Sequence, residues 1–244
     1  MAFSHGKDAT LVVNGRDLSP YLTNVSLAIA RDTAETSVLN TNYKAFIVAP
    51  GSGSATWSAT GYWQGDTALT SIDAWLTTLF GLETGDNMTY YPYGWAVGNA
   101  CKGLVTLQTN YAIGSPIGGA STIALSGLSI VGHDAAKSLH GLTEETVTGN
   151  GTDVAQAASS TNGGVAYLHV GAGTAGTLDV KLQHSDLGSS WVDLTPTFTQ
   201  VGYAAAPTSE RIVIAAGTTV YKHLREVHTI ATGPFTFAVT FCRK

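Results

Sequence analysis

The chain has 244 residues, of which only 12% are charged and 44% are hydrophobic, and its net charge is −5. This length is enough for one large β domain or two small ones, and the charged share is about half that of an ordinary soluble domain. Neither half carries the basic stripe that neutralises phosphates, which argues against tight nucleic-acid binding. So few charges suit a subunit whose surface is covered by other subunits, although an extracellular β module could have the same composition.

The N-terminal residues and the cysteines indicate the cellular compartment. The first ten residues include His5, Lys7 and Asp8 and lack the apolar region of a signal peptide. No stretch approaches the roughly 18 apolar residues of a membrane span. We therefore expect a protein made in a cytosol, without a membrane segment. In that compartment Cys101 and Cys242, which we place in different domains, are expected to be free and buried thiols.

The N-terminal part of the chain predicts strands and one helix. Alternation of Val25, Leu27 and Ile29 with smaller residues is typical of a half-buried strand. Strands are expected at residues 10–13, 25–30, 55–63, 87–91, 103–110 and 122–131. A helix is expected where apolar residues recur at spacings of three and four, with Asp66 or Thr67 able to cap its start and Gly81 its end. Its stripe is Leu69, Ile72, Leu76 and Leu79.

Residues 31–54 interrupt the strand pattern and are predicted to form a long loop. They show no hydrophobic period and end in the flexible composition of residues 50–54, Pro-Gly-Ser-Gly-Ser. Loops of this length in compact domains tend to be functional. Apolar groups that a solvated loop would not favour, with charges around them, predict contact with a neighbouring subunit. We assign this contact to Arg31, Asp32, Glu35, Val38, Leu39, Tyr43, Lys44, Phe46, Ile47 and Val48.

The second half of the chain predicts strands alone. They are expected at residues 165–170, 177–183, 210–215, 221–228 and 235–241. Short strands at this spacing, without a helix, favour an antiparallel sandwich of immunoglobulin-like type. We place the boundary near residues 138–143, which gives domains 1–140 and 141–244. The predicted fold class is all-β with one helix: a β-sandwich or barrel followed by an immunoglobulin-like β-sandwich.

Sequence patterns in both halves point to one family. The first half contains KDATLVVNGRDLSPYL at 7–22, DTAET at 32–36, and WSATGYW at 57–63 followed by the expected helix. The second half contains TNGGVAYLHV at 161–170, VKLQHS at 180–185 and FTFAV at 235–239. The first set resembles the major tail tube proteins of long non-contractile-tailed bacteriophages. The second set resembles an add-on domain seen in such proteins.

The resemblance implies a virion structural protein that is not an enzyme and has no cofactor. Domain 1–140 would self-assemble into stacked hexameric rings that form the tail tube, around the tape-measure protein and later around DNA. The DNA would pass through the lumen during ejection without specific binding. The loop at residues 31–54 would reach the adjacent ring, and domain 141–244 would decorate the outside. The implied partners include tail terminator and distal tail proteins, and the implied location is the virion tail, assembled in the host cytoplasm.

Two motifs could indicate other chemistry. Residues 171–176, Gly-Ala-Gly-Thr-Ala-Gly, match the dinucleotide-binding glycine pattern, but residues 177–183 alternate as a strand where that site needs a helix. We interpret the motif as a hairpin turn. Among the seven histidines, His223 and His228 lie five apart on an expected strand and point to opposite faces. Without a Cys-x-x-Cys pair, a nucleophile elbow or a phosphate-binding loop, we expect no metal site and no catalytic site.

An aromatic cluster spans residues 90–95. Tyr91, Tyr93 and Trp95 are candidates for contact with another subunit, since aromatic residues are enriched at interfaces. The same residues could instead form a sugar-stacking platform, or alternate between core and solvent in an ordinary strand and loop. A second function therefore stays open: a glycan- or host-binding β module of a baseplate or a virion decoration protein.

Overall fold

A computed structural model describes residues 6–35, 46–64, 72–79 and 84–244. One helix and seventeen strands are formed by these residues, with short 3-10 turns at Gly6–Asp8, Ser19–Tyr21 and Tyr203–Ala205. The elements are β1 (Thr10–Val13), β2 (Arg16–Asp17), β3 (Leu22–Glu35), β4 (Phe46–Tyr62), α1 (Ile72–Leu79), β5 (Asp86–Tyr91), β6 (Ala100–Gly114), β7 (Thr122–Ser129), β8 (Asp134–Glu145), β9 (Gly149–Asn150), β10 (Val154–Ala155), β11 (Gly164–Gly173), β12 (Thr177–Ser185), β13 (Val192–Asp193), β14 (Val201–Gly202), β15 (Thr208–Ile214), β16 (His223–Ile230) and β17 (Phe235–Arg243). The predicted all-β fold class with one helix is confirmed.

The chain divides into two compact units, and the division differs from the predicted domains. The sandwich unit takes the described residues of Met1–Pro20, Asn87–Gly103 and Asp134–Lys244, and the sheet unit takes those of Tyr21–Asp86 and Leu104–His133. The predicted boundary at residue 140 falls inside β8, which pairs with β17 along most of its length. The sequence does not predict β8, because the small and polar residues of this strand show no clean alternation of buried and exposed positions.

The sheet unit is an antiparallel sheet in the order β3-β4-β7-β6, with α1 in the same unit. Strands β3 and β4 continue past the predicted strand ends, and their register pairs Arg31 with Gly53 and Glu35 with Phe46. The predicted loop is therefore wrong for residues 31–35 and 46–54, while residues 36–45 lie outside the described residues. A register shift between Arg31 and Thr33 breaks the alternation of the strand. Such a bulge hides a strand from pattern reading.

The predicted helix is confirmed for the part that is described. Ile72, Leu76 and Leu79 are buried along one side of α1, as the apolar spacing predicts. Leu69 and the predicted capping residues Asp66, Thr67 and Gly81 lie outside the described residues.

The sandwich unit contains two antiparallel sheets that share a core. One sheet runs β15-β11-β17-β8 and continues through the first residues of β6 to β5, β1 and β2; the other runs β10-β16-β12-β13, with β9 and β14 at its margins. Alternate residues of β12 and β17, such as Val180 and Phe237, are buried in one apolar cluster. The predicted antiparallel sandwich is confirmed, and its immunoglobulin-like type stays a prediction.

Cys101 and Cys242 are free and buried, as predicted, but both belong to the sandwich unit. Cys101 pairs with Ala136 in β8, and the register of β8 with β17 places Cys242 on the far side of the same alanine. The two cysteines are thus two strand spacings apart, roughly 9.5 Å, which is beyond the reach of a disulfide.

Candidate assembly surface

The four strands of the sheet unit carry no charge over most of their length. Residues 22–30 of β3, 54–62 of β4, 104–114 of β6 and 122–129 of β7 include no Asp, Glu, Lys, Arg or His. In an average protein about a quarter of such residues would be charged. These four segments are therefore poorer in charge than the rest of the chain, which is itself poor in charge.

One face of this sheet is buried and the other is exposed. Ala55, Trp57 and Ala59 of β4 are buried, whereas Thr56, Ser58 and Thr60, which alternate with them, are exposed. The register carries this alternation across the neighbouring strands, so that similar small side chains lie side by side. We call the exposed side the uncharged face; its members include Ser26, Ala28, Thr56, Ser58, Thr109, Ser126 and Leu128. A shallow cavity of about 340 Å³ lies on it.

The buried side of the sheet is held by polar contacts as well as by apolar packing. The indole of Trp57 donates to Thr106 Oγ1, and this hydroxyl donates to the Leu128 carbonyl at 3.2 Å. Gly127 lies against Trp57 so closely that a Cβ there would be 2.4 Å from the indole nitrogen. On the same side, the Tyr111 hydroxyl donates to the Asp73 carboxylate of α1. The helix therefore covers the buried face.

Strand β3 is an edge strand within the described part of the chain, where it pairs only with β4. The Trp63 amide donates to the Ser121 carbonyl at 2.9 Å, so the odd-numbered residues of β4 bond to β7 and the even-numbered ones face β3. By register, the backbone groups of Val25, Leu27 and Ile29 point away from β4. From residue 22 to residue 30 this edge has neither proline nor charge, and such an edge is a ready template for pairing with another chain.

The predicted contact residues are distributed over the extended hairpin. Arg31, Asp32 and Glu35 lie in β3, and Phe46, Ile47 and Val48 lie in β4. Val38, Leu39, Tyr43 and Lys44 lie outside the described residues. Strand pairing places Glu35 opposite Phe46, whereas Arg31 is opposite Gly53. The role of the predicted contact residues at another subunit stays a prediction.

The three predicted aromatic contacts have different environments. Tyr91, the last residue of β5, is fully buried at 0% exposure. Its assignment to a contact between subunits is therefore wrong. Tyr93 is 54% exposed and Trp95 is half-buried. The Ser138 hydroxyl donates to the Trp95 carbonyl at 2.8 Å and fixes this loop.

The structure also places the two motifs that raised other chemistry. The glycine pattern at residues 171–176 connects β11 to β12 without a helix, but these strands belong to different sheets, so the turn is not a hairpin. His228 is buried and His223 is half-buried, on opposite faces as predicted. Within the described ranges, no three His, Cys, Asp or Glu side chains converge on a point where a metal could bind.

The sandwich unit holds a second cavity, of about 370 Å³, that the sequence did not suggest. His140 and His228 line it together with Glu145 and Glu226, and Trp95 forms part of its wall. The only signal in the sequence was the short spacing of each histidine from its carboxylate. Spacing alone does not predict that the two pairs meet.

Comparisons with known proteins give structural matches only. No family model matches the chain, and no curated protein matches it. A chain of the virion of a native gene transfer agent particle is 15% identical, with 54% of this chain and 97% of that chain covered and a TM-score of 0.42. The tail of an empty gene transfer agent particle gives 15% identity, 55% and 98% coverage and a TM-score of 0.43. The SPP1 tail tube gives 14% identity, 54% and 77% coverage and a TM-score of 0.42.

A tail tube is thus among the solved structures that part of this chain resembles. In the part of the chain that the structure describes, no helix is long and apolar enough to cross a membrane.

Proposed function

We propose that this chain is a structural subunit of a bacteriophage tail tube and assembles with copies of itself. The observation that carries the proposal is the edge strand β3, which has no charged residue from residue 22 to residue 30 and is unpaired along one side within the described residues. Soluble proteins usually blunt such an edge with lysine, proline or a covering segment. A subunit that pairs its edge with the next copy has no need to do so.

Edge-to-edge pairing also gives a role to the uncharged face. If sheets continue from copy to copy around a ring, one face turns toward the axis and the other away from it. Helix α1 covers the buried face, so the uncharged face would line the lumen. A surface without charge neither binds nor repels phosphate strongly, and DNA could slide along it.

The remaining parts fit the same scheme. The hairpin of β3 and β4 beyond Arg31 would contact the adjacent ring, and the sandwich unit would decorate the outside of the tube. Rings of six, passage around a tape-measure protein and the ejection of DNA are part of this proposal. A glycan- or host-binding module is the alternative; the half-buried Trp95 at the rim of a cavity is the observation that favours it.

The test is a proline at Ile29, whose amide points to the free edge. Ile29→Pro removes that donor and leaves the pairing of β3 with β4 intact, because proline is tolerated on the solvent side of an edge strand. Ile29→Ala is the matched control, since it also loses the isoleucine side chain but keeps the N–H. We expect tubes or rings of the wild type and of Ile29→Ala in negative-stain microscopy, and folded monomers of Ile29→Pro. Tubes of normal length from Ile29→Pro would refute edge pairing, and a monomeric wild type would favour the alternative.

A further inference from the structure

The outer face of the sheet β10-β16-β12-β13 carries a row of polar side chains across three neighbouring strands. Register places Asp193 opposite Gln183 and Gln183 opposite Arg225. The residues that precede Gln183 and Arg225 in their strands, Leu182 and Leu224, are buried in the apolar cluster. Because successive side chains of a strand point to opposite faces, the row faces away from the core. We call Asp193, Gln183 and Arg225 the polar row.

Arg225 is held in one position by two neighbours. Its Nε and Nη2 both donate to Gln183 Oε1, at 3.0 and 2.7 Å. Its guanidinium carbon lies 4.2 Å from the centre of the Trp191 ring, within the range of a cation–π contact. Gln183 is fixed in turn, because its Nε2 donates to Asp193 Oδ1 at 2.7 Å. An arginine that is already ordered loses less conformational entropy when it binds a ligand.

The positive charge of Arg225 has no carboxylate partner in the described part of the chain. The carboxylate of the polar row is paired with another residue, since Lys181 Nζ lies 2.8 Å from Asp193 Oδ2. Hydrogen bonds from Lys181 and Gln183 hold the pKa of Asp193 below its ordinary value. This carboxylate is therefore charged, and its charge is offset by that of Lys181. The net charge of the row together with Lys181 is positive and lies at Arg225.

The end of the guanidinium is available to a ligand. Gln183 occupies the side formed by Nε and Nη2, which leaves both N–H groups of Nη1 and one of Nη2. Within the described residues, neither these groups nor the indole N–H of Trp191 has a hydrogen-bond partner, and their nitrogens are not among the polar atoms that are shut off from solvent. Two parallel N–H groups at the end of a guanidinium match the two oxygens of a carboxylate.

The groups beside this end indicate what else the ligand carries. The indole N–H of Trp191 is a donor, whereas the Asp193 carboxylate, on a side chain that is 43% exposed, is an acceptor. A hydroxyl group can bind to either, because it both donates and accepts. Sugars with a carboxylate present such hydroxyl groups next to their charged group.

We propose that the outer face of the sandwich unit binds a saccharide that bears a carboxylate, and that Arg225 binds this carboxylate through the end of its guanidinium. Gln183 positions Arg225, and Trp191 and Asp193 bind the neighbouring hydroxyl groups. All four residues belong to the sandwich unit, so the site does not depend on assembly into a tube.

Saturation-transfer NMR of the full-length protein with sodium D-glucuronate tests the site. One exposed bidentate pair with a few hydrogen bonds should give a Kd on the order of 1–10 mM. D-Glucose lacks the carboxylate and N-acetylglycine lacks the sugar; at the same ionic strength, each should bind at least about tenfold more weakly. The proposal is overturned if D-glucuronate shows no saturation at about 100 mM, or if either control compound binds equally well.

Two variants separate Arg225 from a general attraction of anions. Arg225→Lys keeps the positive charge but loses the planar fork, so it should bind D-glucuronate at least about tenfold more weakly. Lys222→Met removes a positive charge directly before β16 and should bind like the wild type. Circular dichroism checks that both variants are folded. Equal binding by Arg225→Lys and the wild type would refute the role of the guanidinium, and the comparison of D-glucuronate with D-glucose on the wild type decides the matter even if Arg225→Lys does not fold.

Discussion

Thr89 Oγ1 and His169 Nε2 lie 2.8 Å apart in the interior of the sandwich unit, and both side chains are fully buried. The Gly15 amide donates to the other ring nitrogen, Nδ1, at 3.3 Å. Because Nδ1 accepts, the ring is neutral and its proton lies on Nε2, where it is donated to the Thr89 hydroxyl. This histidine therefore ties β11 to β5 and to the turn after β1.

Thr89→Val should destabilise the protein by about 1–3 kcal/mol, since it leaves the buried Nε2–H of His169 without an acceptor. Urea unfolding at neutral pH measures the change. Thr89→Ser keeps the hydroxyl and should lose clearly less stability. Equal losses for valine and serine would mean that packing of the threonine methyl group, and not the hydrogen bond, determines the effect.

His169 should make the protein sensitive to acid. Burial lowers the pKa of His169 to about 3, whereas an unfolded histidine titrates near 6.5. The unfolded chain therefore binds the proton first, and stability that is complete above about pH 6.5 decreases as pH falls toward 3. Between pH 7 and pH 5 we expect the stability difference between the wild type and His169→Gln to shrink by about 2 kcal/mol. A difference that does not vary with pH would contradict the neutral, buried ring.

Position 127 should tolerate no side chain, because the indole of Trp57 lies against Gly127. Gly127→Ala places a Cβ 2.4 Å from Trp57 Nε1 and 2.5 Å from the Leu107 carbonyl, and overpacking of this kind costs about 1–3 kcal/mol. Thermal unfolding followed by tryptophan fluorescence measures it. Gly202→Ala is the control, because no atom lies within 4 Å of its added Cβ. A Gly127→Ala protein as stable as the control would show that the sheet relaxes around Trp57 freely.

The uncharged face should become inaccessible to large reagents on assembly. Thr56→Cys lies on that face, and Thr229→Cys lies at an exposed position of β16. Burial raises the pKa of the native thiols of Cys101 and Cys242, so they should react little. We expect a long polyethylene-glycol maleimide to label both engineered cysteines in monomers but only Thr229→Cys in tubes, whereas a small maleimide labels both in tubes. Equal labelling by the long reagent in tubes would exclude a lumenal position.

The hairpin beyond Arg31 should control elongation. Replacement of Phe46 and Ile47 by serine should leave the subunit folded and stop tube growth, because the apolar groups expected at the contact with the next ring are lost. Microscopy of tube length and circular dichroism of the subunit measure the two effects. The control double variant, Leu187→Ser with Val192→Ser, removes two exposed apolar side chains of the sandwich unit and should elongate normally. If the Phe46 and Ile47 variant elongates normally, the hairpin is not part of the contact between rings.

The sequence predicted secondary structure correctly wherever the apolar residues kept one regular spacing. Alternation around Leu27 and Trp57, and the spacing of Ile72, Leu76 and Leu79, predicted elements that the structure confirms. The alternation of apolar and polar residues is lost at the bulge after Arg31 and along β8, where small residues are buried beside polar ones. The sequence therefore did not predict these parts of the strands. The contacts of His140 with Phe237 and of His228 with Val147 join residues that are distant in sequence, so local patterns carried no sign of these two contacts.

The sandwich unit takes its strands from three separate parts of the chain, and β1 pairs with β5 while the turn after β1 contacts His169. A growing polypeptide therefore exposes the apolar strand β1 long before its C-terminal partners have left the ribosome. Contacts between such distant residues slow folding and leave the early strands unprotected. A chain that stops before β11 lacks the partner of Gly15 altogether. Translation must be nearly complete before the sandwich unit can close its core, so an incomplete chain keeps the surface of β1 available to the wrong partners.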